Sequence, residues 1–391
     1  QINVKSPLLP HAQHLSVVSL GTYARRHGFA PAVLDNLWRI PESLKRFRRL
    51  LSDRVPVVGI STSLLMDKSS VERIVREVRA LNPEAVVVLG GLTAENEPEV
   101  AALADVVVLG DGERTFLEVL QALREGGSLE KVPNLVLNLN GRLHRTPSRA
   151  NIEPNDIPPP DWDLLDIRPS LCYPIEASKG CRYNCAFCSF ANLANQKMKD
   201  IGLVVGELER NRERYGIRTL RFMDSNLTSW PEHVERLCEA IIERGLDLQW
   251  SCYARVDNLA RNPRMLEKMR KAGCMALQSG IESGDDGVLR AMHKGYNGKT
   301  VVDGVRRARE AGLIVTGNFI IGFPGETRET VDRTLDVIGR AEPHTASFSL
   351  FAVHANSTAE VWTERVRWGI EGEGTCWAHR TMDSEEAKAE L

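Results

Sequence analysis

The sequence predicts an α/β fold built from an N-terminal doubly wound parallel sheet, a partial (β/α)6 barrel and a small C-terminal extension. Three observations predict it. Residues 1–130 alternate short apolar runs with amphipathic segments, residues 172–350 run through that alternation again in six steps, and a proline-rich stretch separates the two series. Strands alternating with helical stretches imply a parallel sheet covered by helices. A chain of 391 residues suits two domains better than one.

In the first series, residues 2–4 read as a strand, 14–26 as a helix closed by Gly28, and 32–34 as a second strand. Residues 57–60 come after Pro56, and their unbroken apolar run suggests a strand buried on both faces. Ser69 or Ser70 then caps a helix with Val71, Ile74, Val75, Val78 and Leu81 along one side. Residues 85–89 and 104–109 are two further strands, and 115–123 the next helix. The first domain is therefore placed at 1–130. Residues 131–165 form a hairpin and linker: 135–139 and 142–144 flank Asn140-Gly141, a strong hairpin signal, and Pro154, Pro158, Pro159 and Pro160 make a stiff connection to the second domain. That domain, 166–350, has strands at 172–178, 218–224, 248–253, 275–281, 314–321 and 345–350. Helices fall near 202–215, 231–244, 262–272, 298–311 and 327–340. Chemistry in such barrels sits at the C-terminal ends of the strands. Residues 351–391 form the extension. The chain starts at Gln1 and stops inside a helical stretch, so trimming before it and further chain after it are both expected.

Lys plus Arg number 50 against 52 acids, so the net charge of −2 gives no general attraction to long nucleic acid or to an anionic membrane. No apolar run reaches the ~18 residues of a membrane span. None of the eight Cys precedes Cys172, and three cluster at Cys181, Cys185 and Cys188. Clustered cysteines in an enzyme-sized chain point to metal in a reducing compartment, here the cytoplasm.

Three thiolates on one loop can hold three irons of a cubane and leave the fourth iron open to a ligand. The competing reading is structural zinc, which wants four ligands; no fourth Cys or His stands at zinc spacing. The CxxxCxxC triplet, with Phe187 before its last Cys, resembles the signature of radical SAM enzymes. Four other segments are similar to that family's motifs at matching strand ends. They are 221–226 with Asp224, 250–257 with Arg255, 280–284 with Glu282 and Ser283, and 317–327 with Gly322. The resemblance implies a [4Fe–4S] cluster that binds S-adenosylmethionine at its open iron and cleaves it to a 5′-deoxyadenosyl radical. It implies Asp224 near the methionine amino group, Arg255 near its carboxylate, Glu282 and Ser283 at the ribose or methionine end, and the Gly322 segment behind the adenine.

Three loops of the first domain carry small residues: Ser61-Thr62-Ser63, Gly90-Gly91-Leu92-Thr93 and Gly110-Asp111-Gly112-Glu113. Small residues let backbone approach a large flat ligand such as a nucleotide, a flavin or a cobalamin. No GxGxxG comes after the first strand and no P-loop motif occurs. Ahead of this barrel, the loops resemble the cobalamin-binding domain that precedes many radical SAM cores. The DxHxxG motif is absent, which implies cobalamin held without a lower His ligand, with Ser61 to Leu65 nearest that face. Methylthiotransferases of this type use three N-terminal Cys, and residues 1–171 contain none.

The family resemblance implies a cobalamin-dependent methyltransferase. A methyl would pass from S-adenosylmethionine through methylcobalamin to a poorly nucleophilic carbon or phosphorus centre of a small natural product or peptide precursor. An external donor of flavodoxin or ferredoxin type would supply the electron. A cobalamin-dependent cyclase or ring-rearranging enzyme is the second reading, and a zinc-stabilised binding protein the non-enzymatic one. Tyr253 and His354 are the candidate catalytic groups for moving protons. Trp362, Trp368 and Trp377 either line a substrate pocket or cap the barrel, and aromatic burial favours the cap.

Overall fold

The structure, a computed structural model, describes residues 14–35, 37, 41–63, 68–165, 172–189, 195–354 and 357–391. The strand expected at 2–4 lies outside them, as does Leu65. The chain divides into two compact units, residues 1–170 and 171–391.

The first unit runs α1 (Leu15–Arg26), α2 (Pro41–Ser52), β1 (Val57–Ser61), α3 (Lys68–Leu81), β2 (Val86–Gly90), α4 (Leu92–Asn96), α5 (Pro98–Ala101), β3 (Val106–Val108), α6 (Gly112–Glu125), β4 (Leu135–Leu139) and β5 (Arg142–Arg145). Strands β1, β2 and β3 are parallel neighbours. Their side chains alternate between two buried faces. Val87 and Leu89 join Phe47, Leu51, Val71, Ile74, Val75 and Val78 beneath α2 and α3, while Val88, Val106 and Val108 pack with Val119 of α6. Burial on both faces is why these strands read as unbroken apolar runs. Helix α2 escapes the sequence reading; Pro41 opens it at a position where a missing N–H costs nothing.

Two expectations change. Residues 32–34 make only an isolated parallel bridge, Val33 to Leu165, because Pro31 withholds the donor that a ladder needs there. The Asn140-Gly141 hairpin forms, but it extends the first sheet rather than standing in the connection: β4 pairs antiparallel with β3, and Leu135 and Leu137 enter the same core as Val106 and Val108.

The second unit contains β6 (Tyr173–Ile175), the short pair β7 (Ser178–Lys179) and β8 (Lys197–Met198), α7 (Ile201–Tyr215), β9 (Thr219–Phe222), α8 (Pro231–Glu243), β10 (Gln249–Ala254), α9 (Val256–Arg261), α10 (Pro263–Lys271), β11 (Cys274–Glu282), α11 (Asp286–Ala291), α12 (Gly298–Glu310), β12 (Ile314–Ile321), α13 (Arg328–Ala341) and β13 (Thr345–Leu350). Strands β6 and β9 to β13 form one parallel sheet in the order β13-β12-β11-β10-β9-β6, the expected six-step partial barrel. Its C-terminal end is covered by α14 (Glu360–Thr363), α15 (Arg365–Trp368), the meander β14 (Glu371–Glu373), β15 (Cys376–His379) and β16 (Met382–Asp383), and α16 (Ser384–Ala389). The tail aromatics act as a cap. Trp377 and Phe323 each pack edge-on against Phe351, at 5.5 and 5.3 Å between ring centroids, and the Trp377 indole N–H donates to the Phe351 carbonyl at 2.7 Å. Among the described residues no helix is long and apolar enough to cross a membrane.

Candidate functional site

The three cysteines come after β7, where Gly180 at φ +81° turns the chain out of the strand. None of the three is tied up in a disulfide, and all are half-buried. The loop is pinned from both sides. Cys188 N–H donates to Cys185 O at 3.0 Å, Ala186 N–H to Met292 O at 3.2 Å, and Val361 N–H to Ala186 O at 3.0 Å. Phe187 packs edge-on against Phe323 at 6.3 Å.

Two buried cations attend this loop. Arg255, just past β10, places Nη1 3.9 Å from Cys185 Sγ and lies 3.7 Å from the Tyr183 ring centroid; Asp257 holds its Nε at 3.0 Å. Lys294, after α11, is buried with Nζ donating to Gly280 O at 2.9 Å and to Glu282 Oε1 at 3.3 Å, and it stands 5.6 Å from the Phe187 ring centroid. Burial works against the lysine charge. Tyr296, Glu282 and Cys185 more than offset it and hold the ammonium above the ordinary lysine range. Glu282 reaches Lys294 from a left-handed backbone, φ +72°, at a register shift in β11. A non-glycine residue held there costs about 1–3 kcal/mol, offset by the ion pair it builds. Lys294 and Tyr296 went unnoticed in the sequence because a turn lysine carries no spacing signal.

Other expected contact residues take part in the scaffold. Asp224 is buried, accepting from Ala177 N–H at 3.1 Å and Ser178 Oγ at 2.5 Å; burial pushes its pKa up to about 6. Ser283 exchanges a hydrogen bond with Thr334 at 3.2 Å and accepts from Asp285 N–H at 3.1 Å. Tyr253 lies half-buried on β10 with the Arg221 guanidinium 4.7 Å from its ring centroid. His354 is exposed on the loop after β13.

The loop after β12 is built from the cap inward. Gly322 sits at φ +92°, where a Cβ would come within 2.4 Å of the Trp377 ring. Its N–H donates to Glu326 Oε2 at 2.5 Å, and its carbonyl meets His379 Nε2 at 3.0 Å. Glu326 is fully buried, its Oε1 has no partner among the described residues, and burial pushes its pKa up to about 7. The unfolded carboxyl releases its proton near 4.5 and the folded one near 7, so this group favours folding fully below 4.5 and loses that contribution as pH rises through 7. Glu326→Gln is therefore expected to be more stable than the parent at pH 8 by about 2–3 kcal/mol, the difference closing below pH ~4.5. Urea unfolding at the two pH values checks this.

In the first unit, hydrogen bonds join the three loops into one shelf. Thr62, fully buried, donates Oγ1 to Gly90 O at 3.1 Å and accepts from Ala94 N–H at 3.0 Å, while Thr93 Oγ1 donates to Thr62 O at 3.1 Å. Gly110 N–H donates to Glu95 Oε1 at 3.0 Å. Gly91, at φ +104°, lets its loop close on Ser63: a Cβ there would lie 2.5 Å from Ser63 Oγ. Ser63 and Gly110 are exposed, Ser61, Gly90 and Gly112 half-buried. Glu113 turns inward to accept from Ser19 Oγ at 2.9 Å. A flat shelf of backbone and small side chains at the C-terminal ends of parallel strands fits a large planar ligand. Three thiols on one loop, with two buried cations nearby, fit an iron–sulfur cluster that keeps one iron open to a ligand. Among the described residues no three His, Cys, Asp or Glu side chains gather around a single metal-ion position.

Comparison with known proteins agrees with this division. Residues 175–338 match the Radical SAM superfamily and residues 10–120 the B12 binding domain. An uncharacterized methyltransferase of Pyrococcus horikoshii is 31% identical over 308 residues, which are 75% of this chain and 66% of that protein. An anaerobic magnesium-protoporphyrin IX monomethyl ester cyclase of Rubrivivax gelatinosus is 24% identical over 356 residues, 86% of this chain and 63% of that one. The chain thus spans just under two thirds of the length of these curated relatives. The radical S-adenosylmethionine methyltransferase TsrM of Kitasatospora setae shares the fold, with a TM-score of 0.75 at 21% identity over 93% of this chain and 74% of that chain. A B12-binding domain followed by a radical SAM domain, each with its own set of loops in place, means that the chain belongs to the cobalamin-dependent radical SAM family.

Proposed function

We propose that this chain is a methyltransferase that moves a methyl group from S-adenosylmethionine, by way of cobalamin, to a poorly nucleophilic carbon or phosphorus centre of a small molecule or peptide precursor. One observation carries the reading: a single chain combines a three-thiol loop flanked by Arg255 and Lys294 with a hydrogen-bonded shelf of three small-residue loops. When bound, the cluster, S-adenosylmethionine and cobalamin supply the bond cleavage and methyl-transfer chemistry. Cys181, Cys185 and Cys188 would hold three irons. Arg255 and Lys294 place positive charge beside the Cys185 sulfur, where the cluster and a bound carboxylate need it. Glu282 keeps Lys294 in position, and the Gly322 loop, braced by Glu326, Trp377 and His379, backs the adenine. Ser61, Ser63, Gly90, Gly91, Gly110 and Gly112 would offer the shelf to cobalamin. An external flavodoxin- or ferredoxin-type protein would donate the electron, in a reducing cytoplasm.

The cyclase relative favours one alternative, ring closure without methyl transfer. Anaerobic purification, reconstitution with iron, sulfide and cobalamin, and turnover with methyl-labelled S-adenosylmethionine separate the two. The expected product is heavier than its substrate by one methylene unit and carries the label. A product without added mass supports the alternative. A colourless protein containing zinc and no iron overturns both.

A further inference from the structure

The inner face of the barrel carries a guanidinium that pairs with no acid among the described residues. Along the strands, half-exposed residues alternate with buried ones that face the helices. Arg221 lies between Leu220 and Phe222, Ser251 and Tyr253 flank Cys252, Gln278 lies between Leu277 and Ser279, and Thr316 and Asn318 flank Gly317. Register places Arg221 beside Ser251, Tyr253 beside Gln278, and Gln278 beside Thr316. Paired positions of a sheet share a face, so these six side chains line the inside of the barrel.

The charges on this face can be accounted for one by one. Glu176 pairs with Lys179 at 3.6 Å, Arg255 with Asp257 at 3.0 Å, and Glu282 with Lys294 at 3.3 Å. Arg221 is the exception. It donates to the neutral Gln278 Oε1, stacks on Tyr253, and forms no ion pair among the described residues; its Nε is buried without a partner. Neighbouring Cys172 supplies no counter-charge either, because burial pushes its thiol up despite the pull of Arg221. A half-buried charge without a counter-ion is costly. A planar fork stacked on a ring, with a donor edge left over, matches a carboxylate or phosphoryl group.

The position also suits a substrate. Arg255, which approaches Cys185 Sγ, lies four residues beyond Ser251 and one past the end of β10, or about 13 Å at the usual strand rise. An anion held at the Arg221 level therefore leaves the rest of the molecule to span the interval up to the cysteine loop.

We propose that Arg221, with Tyr253 and Gln278, binds an anionic oxygen-acid group of the substrate inside the barrel and thereby selects carboxylate- or phosphoryl-bearing molecules. This rests on the methyltransferase reading of the chain, but its test needs no turnover. Phenylacetate, phenyl phosphate and the neutral phenylacetamide are titrated against the reconstituted holoprotein by ligand-observed NMR. At least one anion is expected to bind about tenfold tighter than the amide, the value of one charge-assisted hydrogen bond, and the preferred anion distinguishes carboxylate from phosphoryl. Arg221→Gln should remove the preference, so that the anions bind no tighter than the amide. Gln278→Glu, which sets a carboxylate on the intact guanidinium, should do the same, and it serves if the first variant does not fold. Equal binding of all three probes, no binding of any, or an anion preference that survives in the folded variants would overturn the proposal. A failed methyl-transfer assay alongside retained anion selectivity would indict the reaction assigned to the chain and not Arg221.

Discussion

Replacing Cys181, Cys185 or Cys188 singly with alanine is expected to abolish cluster binding and all turnover while leaving the barrel folded. Iron should fall from about four per chain to well below one, and the brown absorption should vanish. The loss is all-or-none because a cubane held by three protein thiolates already has one iron without a protein ligand; removing a second anchor leaves two. The loop itself does not depend on the thiols. It is held by backbone bonds from Ala186 to Met292 and from Val361 to Ala186, and by Phe187 against Phe323. Circular dichroism and unfolding midpoints of the unloaded variants should therefore match the unloaded parent. Cys238, Cys252 and Cys274 are fully buried away from the loop, and burial leads the causes that push the Cys238 thiol up. Cys238→Ala should keep its iron. Retention of four irons by any triplet variant, or loss of iron in Cys238→Ala, would refute the assignment of the ligands.

The barrel was legible because strands such as β9, β10 and β12 alternate on a two-residue period and the helices between them on a longer one. The expected strand at 314–321 coincides with β12, and the helix expected near 202–215 with α7. The first domain was legible in part. Its strands announce themselves as apolar runs, but which sheet the hairpin joins depends on Leu135 and Leu137 finding the Val106 and Val108 face, a long-range fact with no local signal. The same limit applies at the site. Motif matching picked out Asp224, Ser283 and Glu113 as ligand contacts, and all three side chains turn into the scaffold, where they meet Ser178, Thr334 and Ser19. Lys294, absent from any motif, joins the expected Arg255 as a second cation that the fold delivers to the cysteine loop.

Lys294 carries the second large effect. Lys294→Met conserves most of the side-chain volume but leaves the buried Glu282 carboxylate without its cation and Gly280 O without a donor from that side chain. Removing one partner of a buried pair costs roughly 3–5 kcal/mol, since the charge left behind stays desolvated. Tyr296 cannot take over, because its hydroxyl already donates to Gly280 O and Ile281 O at 3.2 Å. The double variant Lys294→Met/Glu282→Gln should recover most of that loss, as it removes the stranded charge. Urea unfolding of the four proteins in a double-mutant cycle measures the coupling. Stability and function should then part. The double variant regains its fold and keeps the cysteine ligands and hence the iron, yet it lacks one of the two positive charges near Cys185, so S-adenosylmethionine binding should stay weakened at least tenfold. Full recovery of that affinity in the double variant would mean that Lys294 serves only to neutralise Glu282, and that Arg255 alone meets the carboxylate.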